Sequence, residues 1–338
     1  MLTRRDFLAS LPLASAAIAH AAQDKPPLKL GLISAASYGA VGAPRASGSN
    51  HGTAFATTFN GWDEAKSKEC QGTFVRSGKR LEGARVVRIW DPLKDAAERL
   101  AAACSIDKVC ATPEEACEGV DAVLLIDDGT GEQWKHAAHP LQKGVPVFCD
   151  KPLAMTAKRA QETAKLARST KTKFMSASSL RFVPDIVKLK GELPQIGKVQ
   201  LASAACGNEL VYYGIHALSM IYAVLGGGAV SCLNAGQPGL NVVRARFADH
   251  RDVVLLVGEK EWMTAGYQIN LYGKKGWRTL KPDLTNLYVY LLEAFLEYLR
   301  TGVEPYPIEQ EVELIAVLEA GKRSLQEGRE VTIKEVLE

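Results

Sequence analysis

Charge of one sign is what this chain most plainly lacks: 41 Lys and Arg stand against 38 Asp and Glu, a net +3 over 338 residues with no basic block. No footprint for a phosphate backbone is present, which argues against nucleic acid as a partner. The seven cysteines, at 70, 104, 110, 117, 149, 206 and 232, form no C-x-x-C pair and are odd in number. They suggest neither a zinc site nor a disulfide framework, and a chain this long buries its own core without either. No metal is expected. No apolar run reaches the roughly 20 residues of a membrane helix, and no internal repeat or low-complexity tract occurs. What remains, 47% hydrophobic and 23% charged, is the composition of an ordinary globular protein of two domains.

The N-terminus departs from that texture. Thr3-Arg4-Arg5-Asp6-Phe7-Leu8 leads into an apolar stretch from Phe7 to Ala19 and a small-x-small pattern at Ala19-His20-Ala21. This reads as a twin-arginine secretory signal over residues 1–22. Pro12 interrupts the stretch and no polar face recurs, which argues against an amphipathic helix of the fold. The mature protein is therefore expected in the periplasm or otherwise exported, with no membrane association after processing. The route resembles the one used by proteins that fold, often around a cofactor, before export.

After Pro26-Pro27, short runs rich in Val, Ile and Leu alternate with helix-period segments, the pattern of a parallel sheet wrapped by helices. Strands are predicted at Leu28 to Ile33, Ala84 to Trp90, Ala122 to Ile126 and Pro146 to Cys149, with a weaker one at Lys108 to Cys110. Phe55, Phe59 and Trp62 form one helical stripe, and Trp134, Ala137, Ala138 and Leu141 another. Ala35 to Gly48 and Ser67 to Gly83 read as surface loops. From about residue 197 longer alternating strands appear. Val243, Ala245 and Phe247 fall on one face and Arg244 and Arg246 on the other, which implies an antiparallel sheet with one face wet or covered by a partner. Two helices close the chain, one on the stripe Tyr288, Leu291, Leu292, Phe295, Tyr298 and Leu299, the other from about Ile308 to Glu327. The fold class is α/β: a Rossmann-like doubly wound parallel sheet over 28–152, then an α/β domain over 153–338 with a largely antiparallel open sheet.

The strongest chemical signal is Val147-Phe148-Cys149-Asp150-Lys151-Pro152, a hydrophobic strand running into an acid, a lysine and a proline. Ligands of an open α/β sheet sit beyond the carboxyl ends of its strands, so a lysine there points its ammonium into the crevice. Taken alone, a lysine at a helix start is a solvated side chain. A second constellation is Tyr212-Tyr213-Gly214-Ile215-His216, opening an apolar helix. Tyr212 and His216, four residues apart, share a face and can approach one ligand. A lone histidine there is equally a hydrogen-bonded core residue.

These segments resemble the family of glucose-fructose oxidoreductase, inositol dehydrogenase and rhizopine catabolism, written Gfo/Idh/MocA. In that family a strand ending in Glu-Lys-Pro supplies a catalytic lysine, and Asp150-Lys151-Pro152 takes its place. Gly119 to Leu124 and Gly144 to Val147 are similar to its fourth and fifth strands. Ser179-Leu180-Arg181-Phe182-Val183-Pro184 resembles its Arg-Phe segment at the domain junction. The family's Asp-x-Gly-x-His is replaced by Tyr212-x-Gly214-x-His216. The resemblance implies bound NAD or NADP, catalytic roles for Lys151, His216 and Tyr212, and substrate contacts from Lys151, Arg181, Tyr212, Tyr213 and His216.

The cofactor end departs from the pattern. Gly31-Leu32-Ile33-Ser34-Ala35-Ala36-Ser37-Tyr38-Gly39 lacks the glycine fingerprint that lets backbone approach a pyrophosphate. Ser34 and Ser37 are the candidate contacts there. The first helix starts later, at Ser49-Asn50-His51-Gly52, where Ser or Asn caps and Asn50 and His51 lie beside an anion held by the amides. Asp91 is a ribose-binding acid or a helix cap. Asp127 and Asp128 bind sugar or ribose hydroxyls, or form a turn. Asp150, Lys151 and Pro152 complete the expected cofactor contacts.

The expected function is that of an exported oxidoreductase acting on a sugar, glycoside or cyclitol hydroxyl. It would carry its cofactor tightly bound and assemble as a homodimer or homotetramer through the C-terminal sheet. NAD-dependent glycoside cleavage, and a non-catalytic carbohydrate-binding protein without cofactor, stand as alternatives.

Overall fold

Continuous apolar runs bounded by turns build a buried parallel sheet. In the computed structural model, which describes residues 26–35, 49–70, 72–127 and 130–338, these runs are β1 (Leu28–Ala35), β2 (Ala84–Trp90), β3 (Lys108–Val109), β4 (Ala122–Asp127) and β5 (Val147–Cys149). The expected signal over 1–22, with Ser37 and Asp128, lies outside the described residues. A sixth strand, β6 (Phe174–Ser176), pairs with β5, so the first sheet continues past the boundary expected at residue 152. The strand order is β3-β2-β1-β4-β5-β6, every pair parallel. Order reverses between β1 and β4, and at that switch point the carboxyl ends of the strands part into a crevice. All six residues of β4 are buried.

Helix α1 (Asn50–Asn60) begins where Ser49 Oγ accepts from Gly52 N at 2.8 Å. Phe55 and Phe59 bury its inner face. Gly61, at φ +71°, ends it, so Trp62 falls beyond the helix that its spacing suggested. The loop after α1 is pinned back onto it: Val75 N donates to Thr53 Oγ1 and Ser77 N to Thr57 Oγ1. The stripe at 134–141 divides into a 3₁₀ turn (Gln133–His136) and a short helix (Ala138–Gln142), with Ala137 and Leu141 buried and Ala138 outward.

The second sheet has seven strands in the order β12-β11-β7-β10-β9-β8-β13. They are β7 (Val199–Gly207), β8 (Ala229–Asn234), β9 (Leu240–Phe247), β10 (Asp252–Gly258), β11 (Gln268–Gly273), β12 (Trp277–Leu280) and β13 (Val331–Thr332). It is largely antiparallel, as expected, with β7 and β10 running parallel at its centre. Its inner face packs on the helix Gly214–Leu225, here α2, and on α4 (Glu309–Glu327). Helix α3 (Leu287–Thr301) instead returns to the first sheet: Val289, Leu292 and Phe295 join Leu30, Phe55, Phe59 and Phe148 in one buried cluster. β13 and the short helix Ile333–Leu337 follow the two helices expected at the end.

Gly31 lies inside β1, where a Cβ would stand 2.1 Å from the carbonyl oxygen of Ala116. Gly31→Ala is expected to destabilise the fold by about 1–3 kcal/mol through overpacking against backbone. A urea midpoint equal to that of the unmodified chain would contradict this.

Candidate active site

Seven segments converge at the carboxyl edge of the first sheet. The turn after β5 brings Asp150 and Lys151, the start of α1 brings His51, and the end of β4 brings Asp127. The approach to α2 brings Tyr212, Tyr213 and His216, the residues after β6 bring Ser178, and Tyr267 and Tyr288 close the rim. The Lys151–Pro152 peptide is cis. Lys151 is buried, and its ammonium lies 4.5 Å from the centroid of the Tyr212 ring and 5.1 Å from that of Tyr213. Ring faces attract a positive charge, so two aromatic walls compensate a cation drawn out of water.

Around it the polar groups are paired. His51 Nδ1 lies 2.5 Å from Asp150 Oδ2, both side chains buried. Gln133 Nε2 donates to the carbonyl oxygens of Asp150 and Pro152, each at 2.5 Å, fixing the turn that carries Lys151. His216 Nδ1 lies 2.8 Å from Ser178 Oγ. That hydroxyl also accepts from Leu180 N at 3.3 Å, and with two lone pairs and one proton it can meet Nδ1 either as donor or as acceptor. Burial first, then Lys151 and His51, hold the His216 pKa well below its ordinary value. A neutral imidazole is the form this pocket keeps. The His216 ring also meets Tyr213 at 5.7 Å and Tyr267 at 5.3 Å, between centroids.

The fold matches known proteins. Residues 36–178 fit the family described as "Oxidoreductase family, NAD-binding Rossmann fold", Gfo/Idh/MocA. That stretch is similar to the family over 143 of the 338 residues. Inositol 2-dehydrogenase 4 of Saccharopolyspora erythraea is 30% identical over 154 residues, 44% of this chain and 45% of that relative. The chain thus spans less than half the length of that relative. Inositol 2-dehydrogenase of Rhizobium meliloti is 22% identical over 74% of this chain and 92% of its own. Myo-inositol dehydrogenase from Lactobacillus casei, in complex with NAD(H) and myo-inositol, superimposes with a TM-score of 0.72 at 16% identity, over 91% of this chain and 97% of that one.

Of the residues expected from the Gfo/Idh/MocA resemblance, Lys151, Tyr212, Tyr213 and His216 come together. Arg181 does not join them. Its guanidinium lies over the Tyr306 ring at 3.6 Å, donates to Gln310 Oε1 at 2.8 Å and faces Glu311 at 3.8 Å, so it ties the domain junction to the start of α4. Burial, against the pull of Arg181, pushes the Glu311 pKa up to about 7. Asp127 spends its carboxylate on the turn after β4, accepting from Thr130 N, Thr130 Oγ1 and Glu132 N. Asp91 accepts from Leu93 N at 2.8 Å at the end of β2, while Leu93 occupies the cap position of the following helix. Asp91 is therefore a turn acid rather than a helix cap, at the strand end expected for a ribose contact. Ser34 lies in β1, and Asn50 opens α1 beside His51. Ser178, Tyr267 and Tyr288 were not legible as site residues. Tyr288 reads as one more member of an apolar stripe, yet its ring lies 5.0 Å from that of His51.

The unfolded imidazole of His216 takes a proton near 6.5, and the folded one resists it. The unfolded state then binds more protons, so this residue's contribution to stability is complete above that value and is lost as pH falls below it. His216→Asn, whose Oδ1 accepts from Ser178, is expected to flatten the fall in stability between about pH 7 and pH 5 by up to roughly 1.4 kcal/mol per pH unit. Parallel urea curves for both proteins would refute the assignment.

Proposed function

We propose that this chain is an NAD-dependent oxidoreductase acting on a secondary hydroxyl of a cyclitol or related sugar, exported with its cofactor tightly held. One observation carries the reading: a buried lysine between two tyrosine rings, beside a neutral histidine, at the carboxyl edge of a parallel sheet. The donors around the crevice suit a dinucleotide. The start of α1 presents backbone amides to a diphosphate, and Asp91 ends β2 where ribose hydroxyls are held. When bound, NAD supplies an acceptor for the hydride of the alcohol carbon. Lys151 donates to the hydroxyl oxygen and stabilises the charge that grows there. His216, kept neutral by its burial, takes the hydroxyl proton as the hydride leaves the alcohol carbon. Tyr212 and Tyr213 hold Lys151 in place and present ring faces to the C–H face of the sugar. Inositol 2-dehydrogenases among the relatives support the cyclitol, and Arg4-Arg5 with its apolar run supports export.

Protein recovered from the periplasmic fraction and then denatured is expected to release a nicotinamide dinucleotide. Lys151→Ala should retain the fold and lower kcat/KM toward inositols by at least about a hundredfold. A supernatant free of dinucleotide, together with no binding of added NAD(H) or NADP(H), would remove the proposal.

We further propose that a second copy covers the open face of the second sheet. The register sets Trp277, Tyr272, Leu201, Asp252 and Arg246 in one row across five strands, with Trp277 63%, Tyr272 44% and Leu201 40% exposed. An apolar row ending in an acid and a base is complementary to itself about a twofold axis. Sedimentation should show a dimer or larger, and Leu201→Glu should shift it toward monomer. A monomeric parent protein at micromolar concentration would exclude the arrangement.

A further inference from the structure

The segment after β6 carries the partner of His216 and ends in a buried arginine. Ser178 Oγ lies 2.8 Å from His216 Nδ1, and the same side chain caps the 3₁₀ turn Ser179–Arg181 by accepting from Leu180 N. The turn is closed by Arg181 N donating to Ser178 O and Phe182 N to Ser179 O, each at 3.1 Å. Wherever this turn goes, Ser178 Oγ goes with it. Every residue from Phe174 to Arg181 is buried.

Both ends of that segment are held by residues from much later in the chain. At its start, Tyr306 Oη donates to the carbonyl oxygen of Ser176 at 2.5 Å. At its end, the Arg181 guanidinium lies over the Tyr306 ring at 3.6 Å and donates to Gln310 Oε1 at 2.8 Å, with Glu311 at 3.8 Å. Tyr306 thus touches the segment on both sides of Ser178. Pro305 and Pro307 flank it and restrict the backbone on which it stands. Burial first, then Glu311, push the Tyr306 phenol well above its ordinary range, so at neutral pH it stays a donor. A guanidinium and a carboxylate drawn into the interior are costly, and such pairs are often replaceable by apolar side chains without loss of stability. What apolar packing does not supply is direction: a planar guanidinium stacked on one ring and bonded to one amide sets the turn at one angle.

We propose that Tyr306 and Arg181 are positioning residues of the reaction, acting through Ser178 on the orientation of His216. The inference rests on the oxidoreductase reading above and adds no step to it. The hydroxyl proton still passes to His216, and the segment just before α4 aligns the imidazole that receives it. Proton transfer depends on that alignment, so a small tilt of the ring costs turnover rather than cofactor binding.

Tyr306→Phe removes one hydrogen bond and leaves the ring under Arg181. It is expected to lower kcat toward inositols about 10- to 100-fold, with the NADH dissociation constant within about twofold of the parent's. The decisive comparison is a double-mutant cycle with Ser178→Ala: once Ser178 is alanine, Tyr306→Phe should cost less than about twofold. An equal factor in both backgrounds overturns the proposal, and so does a parental kcat in Tyr306→Phe. Arg181→Lys keeps the charge but loses the planar stack, and should behave as Tyr306→Phe does; a parental kcat there overturns the part assigned to Arg181. A second readout is independent of turnover. In ¹⁵N spectra of the apo protein, Tyr306→Phe should shift the signals of His216 and leave those of His51 in place. Unmoved His216 signals, or equal changes at both histidines, overturn the proposal. Failure of the parent protein to bind NAD(H) would instead sink the function, while the His216 signals would still decide whether Tyr306 sets its orientation.

Discussion

The ammonium of Lys151, buried at the end of a parallel strand, is the constraint around which the site is arranged. A cation withdrawn from water needs compensation, and two tyrosine rings and the carboxyl edge of a sheet provide it. Its position in turn requires a turn that does not move. Gln133 clamps that turn from both sides of Lys151, through the carbonyls of Asp150 and Pro152. The same charge acts on its neighbours, since Lys151 adds to the burial that keeps His216 neutral. A fixed positive charge and an uncharged imidazole suit an oxygen that becomes negative during reaction.

The two histidines of the site are held by different parts of the molecule. His51 belongs to the first helix of the nucleotide-binding sheet and is held by a residue of that same sheet. His216 lies in the first turn of α2 and is paired with Ser178, just after β6 at the junction. Each imidazole is oriented by the part of the molecule nearest to it.

Much of this was legible in the sequence because it depends on local period. Strands β1, β2, β4 and β5 and the closing helices follow apolar spacing, and Asp150-Lys151-Pro152 is readable because strand and turn are contiguous. Where reading failed, the cause was distance along the chain. Ser178 finds His216 across 38 residues and Arg181 finds Gln310 across 129, and no spacing rule reports such pairs. Arg181 was drawn to the substrate by its motif, whereas Tyr306 and Glu311, invisible to that motif, take it into the core. β6 was missed because only Phe174 and Met175 in it are apolar, after a polar Thr-Lys-Thr-Lys run, and it moved the end of the first sheet beyond residue 152.

Helix α3 couples the first sheet to the far end of the chain. It supplies Val289, Leu292 and Phe295 to the core of a sheet completed at β6, far earlier in the chain. During synthesis the first sheet leaves the ribosome long before its cover exists, so one apolar face must wait for the C-terminal part to be made. The nucleotide-binding half is consequently not an independent folding unit, and cutting the gene after β6 would yield a sticky half-molecule rather than a small cofactor-binding domain.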